Sequence, residues 1–81
     1  MLFRSTLECK KEAAGIIIDR FGKDVIMQKI SDDSFICVVD VAVSRQFEGW
    51  LFSLSDIVKI TAPADVADAV KKDAMTFASR F

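Results

Sequence analysis

Eighty-one residues make one small domain, near the lower limit of what a single core stabilises without disulfides or metals. Eleven Lys and Arg against twelve Asp and Glu leave a net charge of −1, which excludes the clustered basic footprint of a duplex nucleic-acid binder. An apolar fraction of 52% exceeds what so short a chain can hide alone, so part of its surface is expected to meet a partner.

The longest uninterrupted apolar run, Phe35–Val39, is too short to span a bilayer. Leu2 and Phe3 are followed at once by charged residues, unlike a signal peptide, so a cytoplasmic, non-membrane protein is expected. From Phe3 to Cys9, apolar or small residues (Phe3, Ser5, Leu7, Cys9) alternate with Arg4, Thr6 and Glu8, the period of a half-buried strand. Between Lys10 and Phe21 the period becomes helical. Ala14, Ile17, Ile18 and Phe21 fall at i, i+3, i+4 and i+7, and Gly22 follows as the stop.

Val25–Ile30 reads as a second strand, Ser31–Ser34 as a tight acidic turn and Phe35–Val43 as a third strand. The third strand is apolar on both sides, with Phe35, Cys37, Val39, Val41 and Val43 against Ile36, Val38 and Ala42, interrupted by Asp40. That is the pattern of a central strand covered on both faces. Ser44 then caps a short helix whose stripe of Phe47, Trp50, Leu51 and Leu54 is assigned, with Phe21, to the structural core. Trp50 as a core residue predicts a loss of about 3–5 kcal/mol on truncation to Ala.

A fourth strand spans Ile57–Thr61. A last helix opens at Pro63 as its first helical residue, turning Val66, Val70, Ala74, Phe77 and Phe81 inward. Asp65 and Asp68 suit its N-terminal dipole, and Asp68 with Lys72 forms an i, i+4 pair. The order β-α-β-β-α-β with an added C-terminal helix predicts an α+β, ferredoxin-like sandwich. Its four-stranded antiparallel sheet has order 4-1-3-2, in one domain over residues 1–81.

Catalytic equipment is sparse. The chain has no His, Tyr or Asn, which removes the commonest general base and several oxyanion donors. Its three glycines are isolated, so no phosphate-cradling loop exists. Asp32 and Asp33 read as turn residues. Cys9 and Cys37 read as reduced, buried, small hydrophobes, without the close-spaced partners a zinc site needs. A disulfide between them would require an oxidising compartment. No catalytic residue, metal site or cofactor is expected. The features left for function are an apolar open sheet face at Ile36, Val38 and Ala42, the aromatics Phe77 and Phe81, and Arg20 as an anion or ligand contact.

The segments DRFG (19–22), FICVVDVAVS (35–44), FEGWL (47–51) and VKITAP (58–63) together resemble the WCX domain. This module is the C-terminal extension of WYL-domain-containing helix-turn-helix transcriptional regulators. The resemblance covers nearly the whole chain in order, and the W-L…V-x-I-x-x-P block is its strongest part. Two positions depart from the family pattern. Ser55 stands where members often carry Gly, and Asp33–Ser34 stands where Asp-Gly is common. A left-handed backbone at Ser55 would cost up to about 1 kcal/mol relative to Gly.

The resemblance implies a C-terminal fragment of a longer regulator that packs on the WYL domain of its own chain or on a second protomer. A homodimer is the expected state, acting in oligomerisation and effector sensing without touching DNA itself. A rival reading is a stand-alone small-molecule binding module of the amino-acid-sensing, ferredoxin-like type. A single-strand nucleic-acid platform is disfavoured, because the sheet face is aliphatic and the charge balance acidic.

Overall fold

The period-two patterns of the two central strands set the layering. In β1 (Phe3–Lys10) the side chains of Ser5, Leu7 and Cys9 are buried; in β3 (Ser34–Val41) those of Phe35, Cys37, Val39 and Val41 are. The two strands pair antiparallel with Leu7 opposite Cys37 and Cys9 opposite Phe35, so both sets face the same side. In this computed structural model, which describes Met1–Phe81, β2 (Ile26–Lys29) flanks β3 and β4 (Val58–Ala62) flanks β1. The sheet is four-stranded and wholly antiparallel in the expected order 4-1-3-2.

Several boundaries differ from the expected ones, β4 among them, which runs Val58–Ala62 rather than Ile57–Thr61. A 3-10 turn over Lys11–Ala13 precedes α1 (Ala14–Phe21), and its tighter winding rotates the apolar stripe. Ala13 and Ile17 are therefore fully buried, while Ile18, expected inward, is 40% exposed. β2 keeps only four paired residues, all exposed. β3 ends at Val41, so Ala42 and Val43 lie beyond it, and Ala42 is exposed. Pro63 is the N-cap of α3 (Ala64–Ala78) rather than its first residue, and its carbonyl accepts the Ala67 N–H at 2.9 Å.

The local stops act as read. Gly22 closes α1 at φ 94°, donating its N–H to the Ile18 carbonyl at 2.8 Å. Ser44 caps α2 (Arg45–Ser53), its hydroxyl oxygen accepting the Phe47 N–H at 3.2 Å. Ser55 is not left-handed, since Gly22 alone has a positive φ, so the departure at that position brings no backbone penalty. In the turn before β3 the hydroxyls of Ser31 and Ser34 bond each other at 2.7 Å, holding without glycine a bend that Asp33 braces through its N–H to Ser31.

One core cluster joins β1, β3 and β4 to Ala13 and Ile17, to Phe47 and Leu51 of α2, and to Val66 and Val70 of α3. All the helices therefore cover a single face of the sheet, and α3 does not reach the other. Phe21, Trp50 and Leu54, assigned to the core from the sequence, are partly buried and pack on its margin.

The outer end of α3 corrects a second expectation. Phe77 is 54% exposed and Phe81 93%, rather than inward. The fifteen residues of α3 extend about 22 Å, whereas the five of β4 beside it cover about 17 Å, so the last turns run past the end of β4. Asp68 and Lys72 form no ion pair; the charged pairs are Arg4–Asp40, Lys11–Asp33, Lys29–Asp32 and Glu8–Lys59.

Candidate interaction surface

The uncovered face of the sheet follows from the same alternation. Residues opposite one another in antiparallel strands project to one side. Thr6, Val38 and Ile26 therefore form one cross-strand row, and Glu8, Ile36 and Gln28 the next. Ile36 and Val38 are half-buried and Ile26 is 64% exposed. No helix lies over them, although the two-sided apolar pattern of β3 reads as fully covered. An aliphatic strip open to solvent is the result.

Two ion pairs bracket that strip. At one end Arg4 Nε lies 3.3 Å from Asp40 Oδ1, directly across β1 and β3. At the other, Lys59 Nζ lies 3.1 Å from Glu8 Oε2 across β1 and β4. All four groups are well hydrated, and each pair contributes no more than about 1 kcal/mol to stability. Their role here is geometric: they leave the face apolar at its centre and charged but neutral overall at its rim. Alternation placed Arg4 and Glu8 outward, but their partners lie 36 and 51 positions away and depend on strand register.

The five residues expected to form one interface do not share a surface. Ile36 and Val38 lie together on the open face. Ala42 is exposed past the end of β3. Phe77 and Phe81 belong to the helix layer: Phe77 packs at 6.0 Å on Phe52 of α2 and at 5.1 Å on Phe81. Arg20 stands 5.3 Å above the Trp50 ring, which also meets Phe21 edge-on at 5.7 Å and stacks on Phe47 at 6.0 Å. The guanidinium is thereby engaged with an aromatic face, an attraction of about 0.5–1 kcal/mol at an exposed site.

Cys9 and Cys37 are free and buried, on neighbouring strands and offset by two residues in register. The Cys9 thiol is pushed well above its ordinary value by its hydrogen bond to Cys37 and by burial, so it stays protonated and unreactive. The hollows of the surface are open ones. A depression of about 330 Å³ lies at the β2–β3 edge among Arg4, Ile26, Val38 and Asp40, touching the aliphatic strip. No helix is long and apolar enough to cross a membrane.

The family model of the WCX domain matches residues 3–78, and the chain belongs to that family. The match takes in every strand and all of α3, including the open face and both ion pairs. WCX domains are regulatory in type rather than a catalytic family, which makes this chain a regulator-associated module. No curated protein and no solved structure matches the chain.

Proposed function

We propose that this chain is a non-catalytic C-terminal module of a cytoplasmic WYL-type transcriptional regulator, acting in oligomerisation and effector sensing. The βαββαβ order and the 4-1-3-2 sheet support a ferredoxin-like sandwich with α3 as an addition to it. The observation that carries the functional reading is the open strip of Ile26, Ile36 and Val38 in a chain of the WCX family. A sheet with one face packed and the other aliphatic leaves apolar area that association removes from water.

The occupant proposed for the strip is a second copy of this module. The ion pairs at its two ends leave no net charge on the rim to repel an identical face. Closed two-fold contacts are the commonest solution for a self-complementary patch. Sedimentation equilibrium on the wild type and on Val38→Lys tests the reading. The wild type is expected to dimerise at micromolar concentration. The variant, with a charge in mid-strip and an unchanged core face, is expected to be a folded monomer. A wild type that stays monomeric and soluble at high concentration, or a Val38→Lys dimer of unchanged affinity, refutes it.

A further inference from the structure

The seam between α2 and α3 carries two contacts in register. Phe52 of α2 meets Phe77 of α3 with ring centroids 6.0 Å apart. One helical turn earlier on both helices stand Glu48 and Asp73, whose side chains come within hydrogen-bonding reach of each other. Asp73 follows Val66 and Val70 at helical spacing and precedes Phe77, and it is exposed, so it stands at the solvent edge of the seam. A carboxylate in such a line was the sequence signal for this contact.

Glu48 is short of partners. Its Oε2 is buried and receives no hydrogen bond from any donor of the protein. No cation offsets it. Arg45, on the same helix, and Lys71 and Lys72, beside Asp73, make no ion pair, and Lys59 of the adjacent β4 is engaged with Glu8 on the opposite face of the sheet. Two ionised carboxylates only accept hydrogen bonds, so they cannot bond each other. With one proton between them, one carboxyl donates to the other and the buried oxygen is satisfied.

We propose that Glu48 and Asp73 form a proton-held clasp fastening α3 to α2, closed when the two carboxyls share a proton and loosened when both ionise. Burial is the larger cause holding the proton, the hydrogen bond and negative charge of Asp73 the next; together they push the Glu48 carboxyl from 4.5 up to about 7. Because the folded chain holds this proton more tightly than the unfolded one, the clasp's contribution to stability is fully present below about pH 4.5. It declines as pH rises toward 7 and is lowest above it. The clasp therefore changes state across the neutral range. Its effect falls on the C-terminal half of α3, where Phe77 is only half covered.

The composition makes the test clean. With no histidine in the chain, the commonest side chain to titrate across the neutral range is missing, and the Glu48 carboxyl is read against that background. Carboxyl carbon NMR of the whole chain is expected to show Glu48 titrating near pH 7, apart from the other carboxylates. Urea midpoints are expected to fall between pH 5.5 and 8. Amide exchange in residues 73–78, corrected for its intrinsic pH dependence, is expected to quicken over the same interval. Glu48→Gln, whose amide N–H donates to Asp73 at any pH, is expected to abolish both trends and to exceed the wild-type midpoint at pH 8. Asp73→Asn, which removes the second charge, is expected to flatten the slope as well. An ordinary Glu48 titration near pH 4–4.5, a flat wild-type profile, or an unchanged slope in both variants overturns the clasp. None of these results depends on self-association through the sheet.

Discussion

Ile17 and Ile18 are identical, adjacent side chains on one helix, and the structure assigns them opposite fates. Ile17 is fully buried beneath α1, whereas Ile18 is 40% exposed. Replacing either with Ala makes the same change in helix propensity, a gain of a few tenths of a kcal/mol. Any difference between the two variants therefore reports burial. Ile17→Ala removes methyl and methylene groups from a site in contact with the central strands and is expected to cost about 3–4 kcal/mol, including the cavity left behind. Ile18→Ala removes side-chain area that is already substantially wet and is expected to cost under about 1 kcal/mol. For a domain of this size the first loss corresponds to a drop of roughly 12–32 °C in Tm, against a total stability of about 5–10 kcal/mol. Thermal and urea unfolding by circular dichroism read both variants. Equal losses would mean that the helix runs straight from Lys10 with Ile18 inward, and would refute the rotation attributed to the 3-10 turn.

Trp50→Ala is expected to cost only about 2 kcal/mol, less than Phe47→Ala at about 3–5, because Trp50 is half-buried on the core margin and Phe47 lies within it. Urea midpoints of the two variants check the order, and a larger loss at Trp50 contradicts it. Gly22→Ala is expected to destabilise by about 1–3 kcal/mol through backbone strain alone, since φ is 94° and no atom lies within 4 Å of the added Cβ. A thermal melt with an unchanged midpoint would show that α1 does not end in this conformation.

Much of this protein is determined by its sequence over short distances. The alternation in β1 and β3, the Ser44 cap, the Gly22 stop and the strand order expected from the element sequence reappear in the structure. Each depends on neighbours within a turn or a strand, where side-chain period and backbone preference act directly. The WCX motifs were legible for the same reason, being short apolar blocks in fixed order.

The tertiary structure decided what depends on registry between distant segments. The phase of α1 follows from a 3-10 turn whose start is set by Lys11, where its N–H reaches the Asp33 carbonyl at 2.7 Å and its ammonium lies 3.7 Å from the Asp33 carboxylate. The choice of α3 to join the helix layer left Ile36 and Val38 open and put Phe77 on Phe52 instead of beside them. Arg4 found Asp40, and Glu48 found Asp73, only through strand pairing and helix packing. Hydrophobic burial is non-directional, so an apolar residue specifies that it should be covered without specifying by what. The covering element is chosen by the packing of the whole chain.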